Sequence, residues 1–191
     1  MSKLLNITNK LPKEYFSIED LQKISNLNRN SLRVSLSRAV KSGQLTKLTN
    51  SLYTANVNKL SWENLAINLY KPSYISFESA LNRHGILSQQ TSALTLATPK
   101  IRKEISIENE RLVYRHLKKE MFWGYYREDN YLIADPEKAF LDLAYLSLNG
   151  YAHFDAEEMN LQLLDKGIIK KYLKKINLKR LTIKINNILK K

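Results

Sequence analysis

The 191-residue sequence contains no cysteine, only five glycines and four prolines, and no long uninterrupted apolar run. Without cysteine, neither a disulfide framework nor a thiolate metal site is available, which agrees with a reducing cytoplasm. The glycines do not build a phosphate-binding loop or a dinucleotide fingerprint, and we expect no cofactor. The first ten residues mix charged with apolar side chains, and no apolar run reaches membrane-spanning length. We therefore expect a cytoplasmic protein that does not contact a membrane.

Positive charge is concentrated at the two ends of the chain, whose net charge is +13. Residues 1–60 hold ten Lys and Arg against three acids, residues 61–165 hold eleven against fifteen, and residues 166–191 hold ten against none. Basic ends that flank an acidic middle favour contact of the ends with nucleic acid.

Residues 17–55 have the pattern of a winged helix-turn-helix. Ser17 predicts the N-cap of a first helix, with acids in its first turn and with Ile18, Leu21 and Ile24 on one side. Residues 26–28 predict a turn, and a second helix then runs to about Ser42 before a glycine.

The second predicted helix has an apolar face and a basic, polar face. Leu32, Leu36, Ala39 and Val40 recur at helical spacing and predict the buried face. No acidic residue lies between Asp20 and Glu63, so the opposite face suits a groove that is lined by phosphates. Residues 44–48 and 52–55 predict the hairpin of the wing. The predicted DNA-contacting residues are Arg29, Asn30, Ser31, Arg33, Val34, Ser37, Arg38, Lys41, Lys47 and Asn50. The simpler alternative is an ordinary solvated face on a pair of helices.

The remaining sequence predicts a second, α+β domain, with domains at residues 1–58 and 59–191. Helices are expected over residues 62–70 and 76–84, from Pro136 onward, and through most of the last forty residues. Short β-rich runs at 93–97, 105–107, 112–116, 121–126 and 131–134 predict strands. In the helical C-terminus, Lys170, Lys171, Lys174 and Lys175 are candidates for secondary phosphate contacts, although lysines also commonly decorate a solvated helix.

Two segments of the second domain carry a family resemblance. Residues 72–81, followed by His84 and Gly85, resemble the start of the second domain of the AbiEi antitoxins of type IV abortive-infection toxin–antitoxin systems. Residues 134–143 are similar to that family's "A-x-P-E-K-A-hydrophobic-hydrophobic-D" helix. The resemblance implies a bacterial transcriptional autorepressor for phage defence, which binds operator double-stranded DNA and opposes a nucleotidyltransferase-like toxin. It supplies no residues for toxin neutralisation.

Other functions have weaker support from the sequence. An enzyme is not expected, because no catalytic motif is recognisable, and a winged-helix regulator without a toxin partner is the main alternative. An RNA-binding protein is a further alternative, for which Trp123, Tyr125 and Tyr126 are the tempting aromatic cluster, but core packing explains them better. His153 lacks evident metal-ligating partners, so no metal site is expected. Lys138 and Asp142 are expected to pair on a helix surface.

Overall fold

The computed structural model describes Thr8 and residues 13–25, 27–89 and 91–190; Asn26 of the predicted turn lies outside them. The chain divides into two compact units, unit 1 (Met1–Trp62) and unit 2 (Glu63–Lys191). Helices and sheets occur together in the fold, which confirms the predicted α+β class.

Unit 1 contains two helices and a small sheet. Its elements in chain order are β1 (Phe16–Ser17), α1 (Ile18–Ile24), α2 (Arg29–Lys41), β2 (Thr46–Lys47) and β3 (Leu52–Thr54). The strands pair antiparallel in the order β1-β3-β2. Both helices and the hairpin occur where the sequence predicts them, although the strands are shorter. The sequence did not predict β1, because two residues are too few to show an alternating pattern.

The core of unit 1 corrects one prediction about α1. Ile18 and Leu21 are buried, but Ile24 is 48% exposed instead of sharing their side. Each step of three residues falls about 60° short of a full helical turn, so Ile24 lies about 120° from Ile18 around the helix. Only the first part of this short helix therefore faces the core.

The elements that follow form a sheet with helices packed against it. In chain order they are α3 (Trp62–Leu69), β4 (Tyr74–Ile75), α4 (Phe77–Arg83), β5 (Leu94–Thr98), β6 (Lys103–Ile107), β7 (Glu110–His116), β8 (Tyr125–Glu128), β9 (Tyr131–Ala134), α5 (Pro136–Ser147), α6 (Lys166–Ile176) and α7 (Lys179–Leu189). The strand order is β6-β7-β5-β4-β9-β8. The β5/β7 and β4/β9 pairs are parallel, while the other three neighbouring pairs are antiparallel.

Helix α5 is the centre of unit 2. Its N-cap is Asp135, whose carboxylate accepts a hydrogen bond from the Lys138 backbone N–H at 2.8 Å, and Pro136 occupies the first turn. The helix packs against α4, α6, α7 and β9, and Phe140 and Leu141 are fully buried. No helix in the described part of the chain is long and apolar enough to cross a membrane.

The strands of unit 2 differ from the sequence prediction in two places. Residues 121–126 do not form one strand: a 3-10 turn covers Lys119–Met121, and β8 begins only at Tyr125. Gly124 interrupts the extended run because its φ is +75°. Conversely, β4 lies inside the sheet between β5 and β9 but was not predicted, because it has only two residues.

Candidate nucleic-acid interface

Side-chain caps fix the two helices of unit 1. Ser17 Oγ accepts a hydrogen bond from the Asp20 N–H at 3.1 Å, and the Asp20 carboxylate accepts one from the Ser17 N–H at 2.9 Å. Asn28 Oδ1 accepts from the Ser31 N–H at 2.9 Å and so caps α2. These bonds satisfy backbone donors that would otherwise lack partners. They set where each helix begins, as the sequence predicts.

Packing fixes which side of α2 faces the solvent. Leu32, Leu36 and Ala39 are buried, and they share a cluster with Phe16, Ile18, Leu21, Leu45 and Tyr53. The opposite side carries polar and basic side chains and one apolar side chain. Its exposed members are Asn30, Arg33, Val34, Ser37, Arg38 and Lys41.

A groove of about 360 Å³ lies between this face of α2 and the β2–β3 hairpin. Six of the ten predicted DNA-contacting residues line it: Arg29, Arg33, Ser37, Lys41, Lys47 and Asn50. The other four, Asn30, Ser31, Val34 and Arg38, do not line it. Arg38 and Val34 are exposed on α2 itself, whereas Ser31 is half-buried. Six of the predicted residues therefore line the groove, and the other four lie on α2 outside it.

The sequence did not predict the acid that lies in this groove. Glu19 belongs to α1, but its carboxylate forms an ion pair of 2.8 Å with Arg29 at the start of α2, and both side chains are about half exposed. A hydrogen bond from its own backbone N–H lowers the pKa of Glu19, and the adjacent Arg29 lowers it further. Although the sequence has no acid from residue 21 to residue 62, the fold adds a negative charge at the N-terminal end of the basic face.

The four C-terminal lysines lie on α6 and are all exposed, as required for phosphate contact. Ile169 and Leu173 form the buried side of this helix. Lys175 differs from the other three because its Nζ lies 3.9 Å from the centroid of the Trp123 ring. That ammonium group is already in a cation–π contact.

The Lys138–Asp142 pair corrects another prediction, because it is buried and not on the helix surface. Both side chains have no exposed area, and Lys138 Nζ donates hydrogen bonds to Asp142 Oδ1 and to the Tyr74 hydroxyl. Tyr74 and Ser76 each donate a hydroxyl hydrogen bond of 2.9 Å to Asp142 Oδ2. Burial raises the pKa of Asp142, and the three donors oppose that rise. The charges are therefore compensated inside the core.

The expectation that His153 lacks metal-ligating partners was also wrong. One ligand atom from each of His153, Asp155 and Glu158 lies within 4.8 Å of the other two. His153 and Glu158 are exposed, and the Asp155 carboxylate accepts the Glu157 N–H at 2.9 Å. Exposed acids often cluster in this way without binding an ion, and no second feature at this cluster points to a metal.

Comparison with known proteins assigns no family to the chain. No protein-family model matches the sequence. No curated protein matches it with significant similarity.

Proposed function

We propose that the protein is a transcriptional repressor that binds duplex DNA through unit 1, and that unit 1 is a winged helix-turn-helix. The observation that carries this proposal is the groove between α2 and the β2–β3 hairpin, with Arg33 and Lys41 on one side and Lys47 on the other. A capped helix with one face packed in a core can enter the major groove as a rigid body. The hairpin beside it then has the position of a wing.

The side chains of this face suit both base and phosphate recognition. Arginine can donate two hydrogen bonds to guanine, so Arg33 and Arg38 are the proposed base-reading residues. Val34 is 50% exposed in the middle of the face and offers an apolar contact for a thymine methyl group. Lys41, Lys47 and Asn50 are suited to phosphates, which position the protein without specifying the sequence.

We further propose that the operator is the protein's own promoter and that the protein acts as the antitoxin of a type IV toxin–antitoxin system. Support comes from the AbiEi-like segments at residues 72–81 and 134–143, which follow the DNA-binding unit in the expected order. Their expected partner is a nucleotidyltransferase-like toxin. The proposal involves no catalytic step by this chain.

One observation favours the second candidate, a regulator without a toxin partner. Lys138 and Asp142, two of the four charged residues of the second segment, are fully buried and cannot contact a toxin directly. The resemblance of that segment therefore supports a fold in common with the AbiEi antitoxins more directly than it supports a common surface for toxin neutralisation. Co-expression with the product of the adjacent gene in a growth assay separates the two candidates. Growth arrest by the neighbour alone, relieved by this protein, supports the antitoxin; a harmless neighbour supports the regulator.

The DNA-binding proposal is tested by substitutions with opposite expected signs. Arg33→Ala should weaken binding of the full chain to its upstream promoter fragment by about 1–3 kcal/mol. Glu19→Gln should strengthen binding about two- to fivefold, since it removes the acid that pairs with Arg29 and repels phosphates. Lys23→Gln is the control, because Lys23 is exposed on α1 but does not line the groove. Equal affinities for all three variants in a mobility-shift titration would exclude this groove as the interface.

A further inference from the structure

A second groove, of about 1260 Å³, lies within unit 2 and is distinct from the proposed duplex-binding face. It is bordered by the β5–β6 loop, by the C-terminal part of β7, and by residues near the ends of α3 and α5. The side chains that matter here are Tyr70, Lys100, Ile101, Arg102, Lys103 and Tyr151.

The groove is locally basic in a part of the sequence where acids are in excess. Lys100 and Arg102 lie in the β5–β6 loop, Lys103 is the first residue of β6, and all three are exposed. None of them forms an ion pair with an acidic side chain in the described ranges. Among the described residues that line the groove, Glu104 is the one acid, and its carboxylate pairs with Arg111 at 2.9 Å. Three cations without an acidic partner therefore face the groove.

Contacts within the groove hold the basic loop in place. The Tyr70 hydroxyl donates a hydrogen bond of 3.0 Å to the Ile101 carbonyl, and His116 Nδ1 lies 2.9 Å from the Lys100 carbonyl oxygen. The ammonium groups of Lys100 and Lys103 lie 5.3 and 5.1 Å from the centroid of the Tyr70 ring. A loop fixed in this way loses less conformational entropy when a ligand binds.

Two apolar side chains in the groove remain exposed to solvent. Ile101 is 82% exposed at the basic loop, and Tyr151 is 70% exposed on the segment that follows α5. Unlike Tyr70, which packs edge-on against Tyr114 at 5.1 Å, Tyr151 has no ring partner among the described residues. Its ring is available to stack on a ligand.

We propose that this groove binds single-stranded nucleic acid, with Lys100, Arg102 and Lys103 on the phosphates and Tyr151 stacked on a base. An exposed aromatic ring beside a row of cations is the combination that single-strand binding requires. Base stacking needs an unpaired base, so a duplex would use only the charges. The sequence favoured core packing over such a role for Trp123, Tyr125 and Tyr126. Trp123 and Tyr125 do contact the rings of Tyr172 and Tyr74, but Tyr125 and Tyr126 are exposed, so that interpretation holds only in part. None of the three lines the basic groove, whereas Tyr151 does.

The test uses the full chain and three fluorescent twelve-nucleotide probes: U12 RNA, A12 RNA and dT12 DNA. Binding is followed by anisotropy across a salt series in an Arg33→Ala/Arg38→Ala background, so that the proposed duplex-binding face contributes little. We expect binding of the single strands, with Tyr151→Ala weakening it about tenfold or more. Lys100→Gln, Arg102→Gln and Lys103→Gln together should reduce the slope of log affinity against log salt by about 0.7 for each phosphate that the protein no longer neutralises.

Matched controls separate this site from general charge and general aromatic surface. Tyr126→Ala removes another exposed tyrosine, and Lys118→Gln/Lys119→Gln removes exposed charge, both away from the groove. In the chain with an intact Arg33 and Arg38, Tyr151→Ala should leave binding to the promoter duplex unchanged. The RNA and dT12 arms show which single strand is preferred.

Three results would overturn the proposal. The first is no binding of any single strand at low salt. The second is binding that Tyr151→Ala and the triple lysine–arginine variant weaken no more than their controls do. The third is polyglutamate competing as strongly as U12 while Tyr151→Ala has no effect, which would identify the groove as a site for an acidic protein segment.

Discussion

The ammonium group of Lys138 contacts the carboxylate of Asp142 one turn along α5, and neither side chain has any exposed area. Tyr74 bridges the pair by accepting from Lys138 Nζ at 3.0 Å and donating to Asp142 Oδ2 at 2.9 Å. This arrangement joins α5 to β4, the two-residue strand inside the sheet. The stability of unit 2 should therefore depend on this charge pair.

Removing one partner of the pair should be strongly destabilising. We expect Lys138→Ala to lower the free energy of unfolding by about 3–5 kcal/mol, because Asp142 is left as a buried charge without its counter-ion. Lys138→Met combined with Asp142→Leu should recover part of this stability, although the Tyr74 and Ser76 hydroxyls would then be without their acceptor. Urea unfolding measures both, with exposed Lys119→Ala as the control. A decrease below about 1 kcal/mol for Lys138→Ala would contradict the account.

The packing of Gly124 on the Lys138 side chain gives a second prediction about the same cluster. A Cβ at Gly124 would lie 2.9 Å from Lys138 Cγ, whereas one at Gly150 would meet no atom within 4 Å, and the two φ angles are +75° and +72°. Both alanine variants carry the strain of a positive φ. Gly124→Ala should cost about 1–3 kcal/mol more than Gly150→Ala, since only it overpacks the core. Equal urea midpoints would show that the Lys138 stem can move aside.

These residues show how far the sequence predicted the structure of unit 2. Asp135 and Pro136 predicted the start of α5 because caps act locally. The spacing of Lys138 and Asp142 predicted their pairing. It did not predict their burial, because charged side chains in a sequence pattern are expected at the surface. Their burial depends on hydroxyl donors from β4 and its neighbour, more than sixty residues earlier in the chain. Tyr74 and Ser76 are in a segment with no alternating pattern.

The candidate interface shows the same division between local and long-range information. The caps at Ser17 and Asn28 and the buried face of α2 could be predicted, because each depends on neighbours along one helix. Glu19 could not be placed opposite Arg29, because that approach depends on how α1 and α2 pack against each other. The second groove was missed because Ile101 and Tyr151 are fifty residues apart in the sequence and line the same groove only in the folded chain.

The stability of unit 1 should depend on pH through Asp20. A hydrogen bond from Lys13 at 2.7 Å, followed by hydrogen bonds from Ser17, holds the pKa of Asp20 below its ordinary value of 3.8. The stabilisation is therefore present above about pH 4 and is lost as the pH falls through the lower, folded-state pKa. Between about pH 5 and pH 2, the wild type should lose more unfolding free energy than Asp20→Asn. Amide NMR signals of α1 and α2 in a urea series report this unit separately. Parallel decreases in the two proteins would contradict the prediction.

The exposed lysines of α6 should contribute to DNA affinity without contributing to its sequence preference. Changing Lys170, Lys171 and Lys174 to Gln should lower affinity for promoter and random duplex alike. The slope of log affinity against log salt concentration should become shallower by about 0.9 for each phosphate left without a cation. Lys175→Gln should have a smaller effect, because its ammonium group already contacts Trp123. Lys118→Gln/Lys119→Gln is the charge-removing control. An unchanged salt slope would assign this face to solvent or to a protein partner.

Sequence-specific duplex binding by α2 is the central claim, and the ratio of two affinities tests it most directly. The full chain is titrated against its own upstream promoter fragment and against a shuffled duplex of the same length at the same salt concentration. The account predicts that the promoter is bound at least about a hundredfold more tightly. It also predicts that Arg33→Ala/Arg38→Ala brings the ratio close to one while circular dichroism stays unchanged. Equal affinities of the wild type for the two duplexes, or a ratio that survives in the folded double variant, would contradict it.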